Sequence, residues 1–256
     1  TMRSSTPRAL LALPTRNSLL VATSSASLLE VDSDGLVTEV AGPGVPSGLA
    51  GDLRALSLAA DGLVWVASED GRVWSVDPNS QWLVAQQFDD WNNLLDSVRG
   101  LAVAHDGSLW ISERPEGVDT AGRLWSLDLF FGLELVAWTA RGSVLVQDPV
   151  SGDLFSPQAG ADGAPRGELL RVEIDGPVVR TGHWRPSDLT AARGQEVSPA
   201  AGSLALTADG DVFLGATDRG QVRRLDRTTR EETLLAAGFE SPVGLALASG
   251  SPGLAA

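Results

Sequence analysis

The sequence predicts an all-β chain in which one four-stranded unit recurs, and three observations predict it. Short apolar segments alternate with the two-residue period of half-buried strands rather than the 3.6-residue period of helices. The pair Asp-Gly, or a near equivalent, separates such segments again and again. With 28 Gly and 14 Pro in 256 residues, few stretches could sustain a helix.

The clearest copy of the unit runs Leu56-Ser-Leu-Ala-Ala-Asp61-Gly62, then Leu63-Val-Trp65-Val-Ala-Ser68, then Arg72-Val-Trp74-Ser-Val-Asp77. The next turns at Asp106-Gly107 and carries Trp110 and Trp125, and a later one turns at Asp209-Gly210 and carries Phe213. Degenerate copies turn at Arg16-Asn17 and at Arg141-Gly142, and a sixth begins at Val243–Ala248 with Ser249-Gly250 at its turn. Asp-Gly between strands signals a two-residue hairpin turn with positive φ at both central positions. Four short strands in about 40–50 residues make one blade of a β-propeller. The expected fold is therefore an all-β propeller of four-stranded blades, a single domain over residues 1–256. It has either six units, the last abbreviated, or five. Trp65, Trp110 and Phe213 share one register, filled by Leu20 and Leu145 in the degenerate copies, and form the bulky layer between neighbouring blades.

Composition excludes several functions. Cysteine is absent, which removes disulfides, thiolate metal sites and cysteine nucleophiles. All 19 basic residues are arginine, so there is no Schiff-base or phosphate-loop lysine. A net charge of −14 and a pI near 4.5 argue against nucleic acid or an anionic membrane as partner. No apolar run is long enough to span a membrane. No leader is visible, and Thr1 before Met2 leaves a removed one open, so the expectation is a soluble protein, cytoplasmic or exported. The acidic, lysine-free and tyrosine-free composition resembles that of a high-GC bacterial genome.

The unit Gly100–Glu113 followed by Gly122–Asp128 resembles the NHL-repeat and SMP-30/gluconolactonase-like superfamily of six-bladed β-propellers, over about residues 8–250. The resemblance implies a site on the face where the inner strands begin, here called the top. The insertions at 89–97, 112–123, 148–167 and 180–202 are expected there, the last holding His183, Trp184 and Arg185, and long loops on a rigid scaffold usually carry binding. In lactonase-like relatives the channel mouth carries Glu, Asn and Asp ligands to a divalent cation. The matching positions here are Arg54, Arg99, Glu134, Gly202 and Val243, with Ala9 or, by a one-residue slip, Arg8. Only Glu134 offers a carboxylate, so the cation cage is not carried over. No cofactor is expected, a divalent cation being the alternative.

Arg54 and Arg99 facing one pore suit either a bidentate clamp on an anion or structural ion pairs with Glu134 or Asp96. Glu113-Arg114-Pro115 and Gly167–Arg171 resemble segments of soluble quinoprotein sugar dehydrogenases. His183 is the one histidine placed to act as a base, since His105 falls in a bottom turn. No nucleophile elbow and no His-Glu-x-x-His occurs. Asp32-Ser33-Asp34-Gly35 looks like a fragment of a calcium loop but reads better as a plain turn. The expected function is non-catalytic binding of a protein, peptide or glycan by the top-face loops, with a small anionic ligand possible at the mouth. The candidate residues are Arg54, Arg99, Glu134, Glu113, Arg114, His183 and Trp184. The alternatives are a metal-dependent lactonase-like hydrolase or lyase and, third, a quinoprotein oxidoreductase.

Overall fold

The structure, a computed structural model, describes residues 6–43, 48–80, 82–88, 95–104, 106–115, 122–128, 132–139, 145–148, 151–159, 165–175, 178–184, 201–207, 211–216, 220–226, 229, 232–239 and 245. Its strands form five antiparallel sheets of four, each a simple meander. The first blade holds β1 (Pro7–Leu13), β2 (Ser18–Thr23), β3 (Leu28–Val31) and β4 (Val37–Ala41). The second holds β5 (Leu53–Leu58), β6 (Val64–Ser68), β7 (Val73–Asp77) and β8 (Leu83–Phe88). The third holds β9 (Val98–Val103), β10 (Leu109–Glu113), β11 (Gly122–Asp128) and β12 (Gly132–Thr139). The fourth holds β13 (Val146–Gln147), β14 (Leu154–Ala159), β15 (Pro165–Asp175) and β16 (Val178–Trp184). The fifth holds β17 (Ala201–Leu206), β18 (Val212–Ala216), β19 (Gln221–Leu225) and β20 (Glu232–Ala237). The first strand of each blade lies innermost. β1 packs against β5, β5 against β9, β9 against β13 and β13 against β17. All five inner strands line one central cavity, joined by Leu245 from the sixth copy. This is a propeller with five complete blades among the described residues.

The bulky register closes the gaps between blades. Trp65 packs with Val98 and Leu101 of the third blade, and Trp110 with Leu145 and Leu154 of the fourth. Leu20 packs with Leu53 and Val66 of the second. In the fourth blade the residue at this register is Phe155, which packs beside Leu204 and Leu214 of the fifth. Leu145, expected there, instead precedes the inner strand β13. The cause is the fourth unit's turn. It lies at Asp148–Asp153, where Asp148 N–H donates to the Asp153 carbonyl and Gly152 N–H to the Asp148 carbonyl, both at 2.8 Å. Arg141-Gly142 imitates a turn in sequence but falls outside the described residues. The stretch 148–167, expected as a long top loop, is this bottom turn followed by β14 and the start of β15.

The Asp-Gly turns also differ from expectation. Gly62 and Gly107 have φ of +88° and +85°, but Asp61 and Asp106 are not among the residues with positive φ. Gly62 N–H donates to the Ala59 carbonyl at 3.0 Å and Ala59 N–H to the Leu63 carbonyl at 2.9 Å. The loop therefore has three residues and one left-handed glycine. The aspartate fixes it from the side: Asp61 Oδ1 accepts from Leu63 N–H at 3.0 Å, and Asp106 Oδ1 from Ser108 N–H at 2.9 Å. Asp32–Gly35 closes the same way, with Asp32 Oδ1 accepting from the Asp34 and Leu36 N–H groups at 2.9 Å each. It is a turn, its carboxylate occupied by its own backbone.

Candidate functional site: an arginine rim on the central channel

Each described inner strand that reaches the top carries a β-bulge at the same place. The ladder skips one residue between Pro7 and Ala9, between Leu53 and Ala55, opposite the Ser112/Glu113 step of β10, and between Ala201 and Ser203. The extra residues are Arg8, Arg54, Arg99 and Gly202. A bulged residue is released from the ladder and its side chain is re-aimed, which is why bulges gather beside sites. Three successive blades thus deliver three guanidinium groups to one end of the channel, and the fifth delivers none.

Two carboxylates stand among the arginines. Asp52 accepts from Arg8 Nε at 3.2 Å and Nη2 at 3.1 Å, and pairs with Arg54 Nη2 at 2.9 Å. Glu69 pairs with Arg54 and, at 3.2 Å, with Arg99 Nη2. The order around the rim is Arg8, Asp52, Arg54, Glu69, Arg99. Glu69 sits in the β6–β7 turn, and its own N–H donates to the Asp52 carbonyl at 2.7 Å. Gly71 makes that turn possible. Its φ is +84°, and a Cβ there would meet the Leu95 carbonyl at 2.4 Å. Burial pushes the Glu69 carboxyl up, but the hydrogen bond from Arg54 and the charges of Arg54 and Arg99 outweigh it and hold the group below the usual carboxylate range. Arg99 is held below the ordinary arginine value, by burial first and then by the neighbouring charges of Arg54 and Arg114, against the favourable pull of Glu69.

The cavity below the rim has a volume of about 430 Å³. Among the described residues, the charged side chains lining it are Arg8, Arg54 and Arg99 and no others. Asp52 and Glu69 stand behind them, outside the lining.

The other candidate residues lie elsewhere. Glu134 is on β12, the outermost strand of the third blade, opposite Ser126 and exposed. Its expected place at the mouth is a misalignment of the fourth unit, and the ion-pair partners of Arg54 and Arg99 are Glu69 and Asp52 rather than Glu134 or Asp96. Glu113, at the top of β10, is wholly buried. Its Oε1 accepts from Trp125 Nε1 at 2.9 Å and its Oε2 from the Asp96 N–H at 2.8 Å. Arg123 reaches Glu113 as an ion pair, donates to Asp96 at 2.9 Å, and lies 5.4 Å over the Trp125 ring. This group staples the blade from within. Arg114 follows Glu113, its N–H donating to the Ser97 carbonyl at 2.8 Å, with its charge close enough to act on Arg99. His183 and Trp184 end β16, the outer strand of the fourth blade, paired with Leu170 and Leu169 rather than standing in a loop. Arg185 lies outside the described residues. Arg8, Asp52 and Glu69 complete the rim. Only Arg8 had a signal in sequence, through the one-residue slip. The carboxylates had none, because the equivalent positions of the neighbouring blades, Thr6 and Ser97 for Asp52 and Ser24 and Arg114 for Glu69, hold no carboxylate.

The described residues at the mouth do not form a cage for a divalent cation. Hard cations need several converging oxygens. Among the described residues no three His, Asp or Glu side chains converge in that way, and both rim carboxylates are held by arginines.

No family model matches the chain, and no curated protein matches it. Solved structures do. Virginiamycin B lyase from Staphylococcus aureus, a catalytically inactive form with quinupristin, superposes with a TM-score of 0.61 at 12% identity, over 92% of this chain and 71% of that one. A streptogramin B lyase gives 0.61 at 11% identity, over 95% of this chain and 87% of that one. An auxiliary nutrient binding protein from Bacteroides thetaiotaomicron gives 0.65 at 11% identity, over 94% of this chain and 63% of that one. At such identities the likeness establishes the fold alone, a β-propeller.

Proposed function

We propose that this propeller is a binding module that takes an anionic ligand at the top of its central channel. One observation carries the reading: among the described residues every charged side chain lining the cavity is an arginine, and all three come from the bulges at one end. Guanidinium groups meet carboxylates and phosphates in a planar two-point fashion, so three of them around an opening favour an oxyanion. The rim is prepared for the task. Asp52 and Glu69 fix the arginines in place, yet among the described residues two carboxylates leave three guanidiniums short of neutrality. A ligand oxyanion supplies the missing charge. The resemblance to NHL-repeat and SMP-30-like propellers supports a site at this mouth, and one structure of this fold is described as a nutrient binding protein, which supports binding as a use of it. Titration calorimetry with succinate and inorganic phosphate tests the reading. Binding to the wild type that falls at least tenfold in Arg54→Ala and in Arg99→Ala, with unfolding midpoints preserved, is the expected result. Unchanged affinity in both variants would retire it. Metal analysis of purified protein addresses the lactonase-like alternative, which a stoichiometric divalent cation would favour.

A further inference from the structure

The geometry points to an amphipathic ligand, a small carboxylate whose apolar tail descends the channel while its head rests on Arg8, Arg54 and Arg99, an inference that rests on the anion-binding reading of the rim. The cavity is polarised along its axis. Among the described residues its charge is confined to the top, and below the rim the partly exposed side chains of the lining include Leu11, Leu56, Leu58, Val146, Leu206 and Leu245. Leu101, Leu145 and Leu204, at 2%, 5% and 2% exposure, lie in the layers between blades that back this wall. The polar side chains in the lining, Ser57 and Gln147, are engaged with the protein: Ser57 Oγ accepts from the Val103 N–H at 3.0 Å, and Gln147 Nε2 donates to the Gly152 carbonyl at 3.3 Å, down at the bottom turn. From Arg54 to Leu58 the strand descends roughly 13 Å at about 3.3 Å per residue. A volume of about 430 Å³ lies within the range of small-molecule pockets. A tailless anion would leave this apolar volume unused. A neutral hydrocarbon would leave the arginines unanswered. A carboxylate with an alkyl or cyclic tail satisfies both ends.

The experiment is calorimetry on the full chain with acetate, butanoate, hexanoate and octanoate, beside succinate and inorganic phosphate as tailless anions. Each added methylene that enters the channel is expected to tighten binding about fourfold, until the channel is full. Tailless anions that bind through Arg54 and Arg99 with no gain along the alkanoate series would overturn this inference and leave the anion rim standing. Absence of binding by every anion, or binding indifferent to Arg54→Ala and Arg99→Ala, would overturn the rim reading and this one with it. Leu58→Asn is expected to keep phosphate affinity and flatten the series, and an unaltered slope would show that the tail lies elsewhere. Should that variant not fold, a nitroxide on the terminal carbon of octanoate decides the same point: broadened methyl resonances of Leu56 and Leu101 are expected, and broadening confined to the rim counts against the tail path. An acetylated tripeptide with a free C-terminal leucine carboxylate is the last arm. If it outbinds octanoate, the ligand is a peptide end and the small-molecule class is wrong.

Discussion

Glu113 shows how one buried carboxyl is made tolerable. Its solvent is replaced by two donors, the Trp125 ring N–H and the Asp96 backbone N–H, and by the charge of the Arg123 guanidinium. Burial pushes its pKa up, and these partners pull it part of the way back. The sign of the consequence is fixed. For an acid whose value is raised on folding, the stabilising contribution is complete below the unfolded value and is lost as pH rises through the folded one. Urea unfolding of the wild type and Glu113→Gln across roughly pH 4 to 8 should therefore show the wild type losing ground to the variant as pH rises. A difference independent of pH would mean that Glu113 does not titrate in this window. Truncation is a different matter. Glu113→Ala leaves the Trp125 ring N–H and the Asp96 N–H without their acceptor and Arg123 with Asp96 alone, and should cost about 3 kcal/mol, read as a lower urea midpoint. Glu69 has the opposite sign. Its lowered value means stability that is present above the unfolded value and lost as pH falls through the folded one.

The element that matters most for the site is the bulge at the head of each inner strand. A regular strand would keep these arginines in ladder register, and the extra residue frees them. The second such element is the β6–β7 turn, which carries Glu69 to the arginines and touches the entry of the third blade. Gly71 couples the two, because it combines a left-handed φ with contact to the Leu95 carbonyl. Gly71→Ala should lose about 2 kcal/mol of stability and, by displacing Glu69, change anion affinity as well. Unfolding curves together with phosphate titration check both effects. Retention of wild-type values would show that the turn has room to relax.

Over the whole molecule, two electrostatic facts point in opposite directions. The chain carries a net charge of −14, yet among the described residues the charged side chains lining its channel are all arginines. At physiological ionic strength the screening length is about 8 Å, so a ligand at the mouth responds to the rim more than to the distant acidic surface. Hexanoate should bind and hexylammonium should not, by calorimetry at matched ionic strength. The reverse order would mean that the global field decides. Among the described residues no helix is long and apolar enough to cross a membrane. The repeat, the strand order within a blade and the bulky layer between blades were legible in the chain itself, because alternation and turn residues are local and every unit states them again. Arg54 and Arg99 were legible at the mouth for the same reason, since their position recurs in each copy. Glu134 and Leu145 were misplaced because the fourth unit's turn at Asp148–Asp153 lacks the Asp-Gly pair. The aspartates of the other turns were expected to be left-handed, because a dipeptide does not reveal that its side chain will hold a three-residue loop. What tertiary structure alone decided is the rim's composition and the channel's polarity. Asp52 and Glu69 stand at positions that hold no carboxylate in the first and third blades, and their meeting with three arginines depends on how separate blades stand around a common axis.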